Sequence, residues 1–330
     1  MNKEFKALRI SEENGQYIRK IETRKIEDLP EGEVLIRVYF SSLNYKDVLS
    51  VSGNKGVTRK YPHTPGIDAA GIVEHSSSTK FKVGDEVIVT SYDLGMNTDG
   101  GFSEYIRVPE SWVVSLPKGM NLREAMIFGT AGFTAALSVY RLLAAGQTPE
   151  MGPVVVTGAL GGVGSIAISI LASLGFEVIA ATSSANGGEE ELHDLGAASR
   201  ISSEISDDLS GRPLLKPLWA GAIDVVGGNT LHTLLKACKP MGNVTCCGNI
   251  GSGDLVMTVY PFILNGISLI GIDSQKCPME LRQKVWNKLA SEWNVYKNKE
   301  QIIESSLENL DTYIDLMLEK KSRGRVIVKL

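Results

Sequence analysis

The amino-acid sequence predicts an α/β protein of two domains, a mostly-β one followed by a doubly wound parallel sheet with helices between its strands. Three observations predict it. The first third of the chain is a series of short alternating runs punctuated by Gly and Pro, as antiparallel strands and their turns require. After about residue 122, apolar runs alternate with helical stretches, the order that builds parallel βαβ units. Within that second region, Gly158-Ala159-Leu160-Gly161-Gly162-Val163-Gly164 ends one apolar run and opens an apolar helix.

In order, residues 5–40 contain alternating runs, the clearest at 34–40 after the turn-like Leu29-Pro30-Glu31-Gly32. Further strand signals lie at 71–74, 83–89, 102–108 and 113–116. Residues 122–128 and 131–143 read as helices. Val154-Val155-Val156-Thr157 is the kind of apolar run that a parallel strand buried on both faces requires. A helix at 165–174, a strand at 176–182 and a helix at 189–195 follow. A fourth strand is read at 222–226, a helix at 231–238, a fifth strand at 243–247 and a sixth at 267–272. From about residue 278 come two amphipathic helices and a last strand, 325–330, expected to return to the first domain. The expected domains are 1–122, completed by about 290–330, and 123–289.

Composition narrows the function classes. With 330 residues, 43% of them hydrophobic, there is apolar material for two cores. A net charge of −4 shows no basic excess of the kind that binds DNA, RNA or an anionic membrane. No apolar run approaches the roughly 18 residues of a membrane span, and the N-terminal residues lack a signal-peptide core. A cytoplasmic protein with no nucleic-acid or membrane partner is expected. Cys238, Cys246, Cys247 and Cys277 lack C-x-x-C spacing and read as small buried hydrophobes.

The glycine turn carries the chemistry. Between a strand and a helix, such glycines permit a tight turn, close approach to a pyrophosphate and close helix–strand contact. Amides at the helix start then face the phosphates, so Gly158, Leu160, Gly161, Gly162, Val163 and Gly164 are expected to hold a dinucleotide. The second strand ends Ala181-Thr182-Ser183-Ser184-Ala185-Asn186, with no carboxylate before Glu189 to take the ribose hydroxyls of NAD. Thr182, Ser183 and Ser184 leave room for a 2′-phosphate and can donate to it, with Arg200 as counter-charge. NADPH is therefore the expected cofactor.

An ordered set of further segments gives a resemblance. Ser42-Leu43-Asn44-Tyr45-Lys46-Asp47, Pro65-Gly66-Ile67-Asp68-Ala69-Ala70-Gly71 and Val83-Gly84-Asp85-Glu86-Val87 come first. Gly100-Gly101-Phe102-Ser103-Glu104-Tyr105 and Gly129-Thr130-Ala131-Gly132-Phe133-Thr134-Ala135 follow, ahead of the glycine turn. Over essentially the whole chain the set resembles the medium-chain dehydrogenase/reductase superfamily. Ser41 to Asp47, with Trp219-Ala220-Gly221-Ala222-Ile223-Asp224, is similar to its quinone-oxidoreductase-like YhdH/YhfP branch, which includes acryloyl-CoA reductases. The resemblance implies a GroES-like catalytic domain and a Rossmann cofactor domain. The superfamily's zinc alcohol dehydrogenases carry a Cys in the first segment and Gly-His-Glu in the second. Here Asn44 and Gly66-Ile67-Asp68 stand there, no cysteine precedes Cys238, and the four-cysteine lobe is missing. His63, His75, His193 and His232 are scattered, so no metal is expected.

The resemblance further implies Asn44, Tyr45 and Asp47 as catalytic candidates, and Thr130, Thr134, Gly248, Asn249, Asp273, Ser274 and Arg325 beside the cofactor. Tyr45 would donate to an enolate or supply a proton; Asn44 would hydrogen-bond the nicotinamide ribose or a substrate carbonyl; Asp47 would orient Lys46 or backbone amides. Without a Lewis acid, hydride transfer to an activated double bond is the chemistry that fits. Three readings stay open: reduction of a short enoyl-CoA such as acryloyl-CoA, reduction of a quinone or enone, and a non-catalytic NADPH-binding sensor. A CoA substrate would need cations, for which Lys46, Lys55, Arg59 and Lys60 are candidates. Residues 263–272 could extend the second sheet across a homodimer.

Overall fold

Alternating side chains from Glu4 onward make a hairpin. In the computed structural model β1 (Glu4–Glu13) and β2 (Gln16–Lys25) pair antiparallel around Asn14-Gly15, both left-handed as the tight hairpin turn demands. The structure describes residues 3–182, 188–202, 207–295, 302–319 and 321–330, so Ser183 and Ser184 lie outside the described residues. Strands β3 (Val34–Ser42), β4 (Asp68–Ser76), β5 (Glu86–Thr90), β6 (Tyr105–Val108) and β7 (Val113–Ser115) follow, with helix α1 (Tyr45–Val51) after β3. Helix α2 (Leu122–Ala144) then leads to β8 (Val154–Thr157), α3 (Gly162–Ser173), β9 (Val178–Thr182), α4 (Glu189–Asp194) and β10 (Ser199–Ser202). Next come β11 (Trp219–Asp224), α5 (Gly228–Lys236), β12 (Cys238–Cys246), α6 (Tyr260–Asn265) and β13 (Ser268–Gly271). The chain finishes with α7 (Met279–Ala290), β14 (Ile302–Ser306), α8 (Leu310–Leu318) and β15 (Arg325–Lys329).

Two units result. The first contains Met1–Thr130, Gln275–Ser291 and Lys297–Leu330; the second contains Ala131–Ser274 and Glu292–Tyr296. In the first, a sheet runs β14-β15-β3-β4-β5-β7, with β6 also paired to β3. Alternate residues of β3, Val34, Ile36 and Val38, enter its core with Val87, Val89 and Ile106, the period-2 burial that the sequence alternation requires. In the second, the parallel order β10-β9-β8-β11-β12-β13 grows outward in both directions from β8 and β11. This is the doubly wound arrangement, whose ligand crevice lies where the strand order reverses. The mixed fold class expected from sequence is the one observed.

Several details differ from the sequence reading. The third parallel strand, to which that reading assigned no residues, is β10; it is short and half-buried, so its apolar signal is weak. Strand β14 and helix α6 also went unread. The two helices near residue 122 are one element, α2, interrupted at Gly129 (φ 50, ψ −153). Helix α2 is also long and apolar enough to meet the composition of a membrane span, which the sequence reading did not find, yet 78% of its apolar window is buried in the fold. Helix α7 falls in the first unit, where buried Arg282 donates to the carbonyl and hydroxyl of Thr90. Helix α3 starts at Gly162, three residues before the expected Ser165. Burial pushes the thiols of Cys238 and Cys247 up to about 12, which leaves them unreactive.

Candidate active site

In the second unit, a backbone-built site sits at the carboxyl end of β8. Gly158 adopts φ 58, and a Cβ there would lie 2.4 Å from Val225 Cγ2. A Cβ on Gly164 would lie 2.3 Å from the Gly158 carbonyl oxygen, so helix and turn touch through bare backbone. Gly161 is the N-cap of α3 and supplies no side chain to cap it. The amides of Gly162, Val163 and Gly164 are those for which helix geometry provides no intrahelical acceptor, and the helix dipole adds partial positive charge. Leu160 packs toward Gly188, the N-cap of α4. A helix N-terminus packed through bare backbone onto the preceding turn in this way, with no side chain capping it, fits a dinucleotide phosphate.

Other predicted cofactor residues gather in the same unit. Gly248 abuts the Val225 carbonyl, and Asn249 approaches Gly227. Thr134 donates to Ser274 at 2.9 Å, which brings helix α2 beside the Asp273-Ser274 segment after β13. Thr182 is buried at the end of β9. Arg200 pairs with Ala180 across β10 and β9, two register positions short of Thr182, and its guanidinium lies 3.8 Å from Glu189. The sequence reading missed Asp224. It is fully buried and accepts from the Thr157 hydroxyl (2.8 Å) and the amides of Gly227 (2.8 Å) and Val226 (3.3 Å), which fixes the end of β11 against the glycine turn. Burial pushes its carboxyl up, against those three donors.

The first unit holds a side-chain site around two buried carboxylates. Asn44 is the N-cap of α1, and Asp47, three residues on, accepts from its backbone amide at 2.8 Å. The other Asp47 oxygen accepts from the amides of Gly66 (3.1 Å) and Ile67 (2.8 Å), so Asp47 orients backbone, while Lys46 donates instead to Gln275 at 2.8 Å. Burial, then the charge of Asp68, pushes the Asp47 carboxyl up to about 7, against the amides that favour its ionised form. Asp68 accepts from the Ser42 hydroxyl (2.6 Å), the Asn44 amide nitrogen (2.7 Å), and both the Thr130 amide (2.8 Å) and hydroxyl (2.6 Å). Tyr45, the first residue of α1, is 41% exposed beside these buried neighbours.

Arg325, expected beside the cofactor, is buried and donates to the carbonyls of Ile127 (2.9 Å) and Leu43 (3.2 Å) and to Asn44 Oδ1 (3.3 Å). It therefore closes the first half of α2 where Gly129 interrupts it. The residues here do not fit zinc. Asn44 turns its amide N–H groups to Asp68 and Ser42, the Ile67 side chain has no lone pair, and four donors fill the oxygens of Asp68. Among the described residues no three His, Cys, Asp or Glu side chains are grouped to hold a metal ion. Asp68 is the functional candidate that no motif marks, because its partners Asn44 and Thr130 lie 24 and 62 residues away in the chain.

Comparisons with known proteins identify the family. Residues 30–118 match the family model described as alcohol dehydrogenase GroES-like domain, and residues 162–291 match that of the zinc-binding dehydrogenases. The chain is 41% identical to the acrylyl-CoA reductase AcuI of Ruegeria pomeroyi, over 98% of both chains. It is 45% identical to the Bacillus subtilis protein YhfP, whose structure with NAD bound superposes with a TM-score of 0.96 over 99% of this chain and all of that one. The structure of Escherichia coli YhdH with bound NADPH is similar too, at 39% identity and a TM-score of 0.93, covering 98% of this chain and 99% of that one. With relatives this similar along its whole length, the chain belongs to the medium-chain dehydrogenase/reductase superfamily of oxidoreductases, in the quinone-oxidoreductase-like YhdH/YhfP branch.

Proposed function

We propose that the protein is an NADPH-dependent reductase of activated carbon–carbon double bonds, with a short enoyl-CoA such as acryloyl-CoA as its substrate. The observation that carries this reading is Tyr45, an exposed phenol on the first turn of α1, seated beside buried Asn44 and Asp47. When bound, the reduced nicotinamide supplies a hydride. The substrate's β-carbon would accept it, the double-bond pair would shift to give an enolate, and a proton taken from water at the α-carbon would complete the saturated thioester. Tyr45 donates its phenolic hydrogen to the developing oxygen, stabilising charge that appears only on the way to the enolate. The 41% identity to an acrylyl-CoA reductase supports the thioester, and the name quinone oxidoreductase carried by YhfP supports the second reading, a quinone substrate.

For the CoA phosphates we propose Arg59 and Lys60, both exposed. Lys46 and Lys55 are engaged elsewhere, Lys55 by Glu12 at 2.8 Å and by the rings of Tyr17 and Tyr61. Arg200 is the proposed partner of the 2′-phosphate. A homodimer is proposed through the edge strand β13 and α6, where Ile263 and Leu264 are 67% and 63% exposed. Size-exclusion chromatography with light scattering tests that dimer.

The deciding experiment is NADPH oxidation with acryloyl-CoA, crotonyl-CoA and 1,4-benzoquinone, compared by kcat/KM. We expect acryloyl-CoA to lead by tenfold or more and Tyr45→Phe to lower kcat without changing the melting temperature. A lead for benzoquinone selects the quinone reading, and no turnover of any of the three defeats the enzyme reading. Arg200→Ala should weaken NADPH more than NADH; equal effects overturn the 2′-phosphate assignment.

A further inference from the structure

We propose that the β1–β2 hairpin is a specificity element for the CoA end of the substrate. Glu12 and Tyr17, acting through Lys55, hold the loop after α1 so that Arg59 and Lys60 meet the CoA phosphates. Tyr17 and Lys55 are positioning residues and take no part in hydride transfer. This rests on the enoyl-CoA reading above.

The loop, residues 52–62, has no regular secondary structure, yet it is fixed along its length. Gly53, at φ 79, lies against Tyr17, where any Cβ would enter the ring. Lys55 Nζ donates to Glu12 at 2.8 Å and lies 5.5 Å and 4.8 Å from the ring centroids of Tyr17 and Tyr61. Glu12 and Tyr17 are cross-strand partners beside the hairpin turn, so one register position supplies both the carboxylate and a ring. Thr58 is fully buried, its hydroxyl 2.7 Å from that of Ser50. Tyr61 donates to the Ser50 carbonyl at 2.6 Å, and its ring centroid lies 4.9 Å from that of Tyr17. His63 closes the loop by exchanging backbone hydrogen bonds with Ile10 of β1, at 2.8 and 2.9 Å. Between these anchors the Arg59 amide donates to Asn97 Oδ1 at 3.3 Å.

Arg59 and Lys60 are the cations this brace leaves uncompensated. Both are exposed, and among the described residues neither makes an ion pair, whereas Glu12 neutralises Lys55. An ordered backbone matters for such a site, because an exposed ion pair contributes only about 0.2–1 kcal/mol and ordering a free loop costs more than that. With the loop already held, only the two side chains remain to be fixed on binding. The reach is also suitable. Helix α1, about 10 Å long at 1.5 Å per residue, separates Tyr45 from the start of the loop, and an extended pantetheine arm is longer than that. A quinone has neither arm nor phosphates, so the hairpin discriminates between the two substrate classes.

The test compares acryloyl-CoA with acryloyl-pantetheine, which keeps the thioester and the arm but lacks the phosphates, in wild type, Tyr17→Leu and Lys55→Met. Wild type should show the lower KM for acryloyl-CoA. Each substitution should raise that KM about fivefold, the upper scale of an exposed ion pair, with kcat and the KM for acryloyl-pantetheine unmoved. The loss should also be shared with the two cations: Tyr17→Leu added to Arg59→Ala and Lys60→Ala should cost no more than the two alanines alone. An equal rise in KM for both substrates, no rise with either variant, or full additivity overturns the proposal. So does a wild type with the same KM for both thioesters, which leaves the enoyl-thioester reading standing. Should Tyr17→Leu fail to fold, Lys55→Met, whose side chain is half exposed, is judged by the same split. Wild-type protein that reduces neither thioester overturns the enoyl-CoA reading itself.

Discussion

The glycine turn of the second unit and the carboxylate cluster of the first are built on opposite plans. The turn is backbone, one contiguous segment whose specificity lies in what its residues lack. The cluster is side chains, with Ser42, Asn44, Asp47, Asp68, Ser91 and Thr130 brought from four segments around two buried carboxyl groups. The difference teaches where each site is vulnerable. A backbone site is broken by added atoms and is indifferent to pH; a buried carboxylate site is broken by altered charge and carries a pH dependence into the stability of its unit.

The sharpest way to break that contrast is to titrate the cluster. Asp47 is raised in the fold from 3.8 to about 7, so the folded protein holds a proton there that the unfolded chain releases. Its contribution to stability is full below about pH 4 and is lost as pH rises to about 7, a span worth on the order of 4 kcal/mol. Measured by urea unfolding, wild type should lose stability relative to Asp47→Asn across that window. A difference that stays flat with pH would show Asp47 ionised throughout.

Gly129 ranks next. A Cβ there would lie 2.4 Å from Ser42 Oγ, 2.5 Å from Asp68 Oδ2 and 2.9 Å from Arg325 Nη2, at a backbone angle L-residues avoid. Gly129→Ala should cost about 3 kcal/mol, from strain and overpacking together. Gly175, also left-handed but in open space, isolates the strain, and Gly175→Ala should cost about 1 kcal/mol. Equal losses would mean that the crowding around Asp68 contributes nothing.

For the turn, Gly164→Ala is the matching insult, because its Cβ meets the Gly158 carbonyl with no side chain to yield. NADPH affinity should fall at least a hundredfold, about 2.7 kcal/mol, with the same loss at pH 5 and pH 8. An unchanged affinity would remove the phosphates from this turn.

The two plans also explain what the sequence could reveal. The turn was legible because its determinants are contiguous: glycine spacing, a preceding apolar strand and a following apolar helix fix it without reference to the rest of the chain. The alternating strands and the βαβ order were legible for the same reason, periodicity being local. Strand β10 was not, since half-buried Ser199-Arg200-Ile201-Ser202 carries almost no apolar signal. Neither was the role of Asp68, because it depends on Thr130 and Asn44 arriving from 62 and 24 residues away. The resemblance puts Arg325 with the cofactor; what no motif records is that it also donates to the carbonyls at the break in α2, to the Leu43 carbonyl and to Asn44 Oδ1.

The smallest effect tests whether the turn is as purely backbone as the contrast holds. Thr157 precedes Gly158, donates to Asp224 at 2.8 Å and accepts from the Val225 amide at 3.0 Å. Thr157→Val keeps the shape but leaves that amide and one carboxylate oxygen without these partners, which should cost about 1–2 kcal/mol. Because the donor stabilises the ionised form of a carboxyl already pushed up by burial, the deficit should shrink in acid and grow as pH rises. NADPH affinity should change less than threefold, since the remaining Asp224 bonds, to Val226 and Gly227, still fix the end of β11. A loss approaching that of Gly164→Ala would mean that a side-chain network positions the turn after all. The two sites would then differ in composition but not in how they are held.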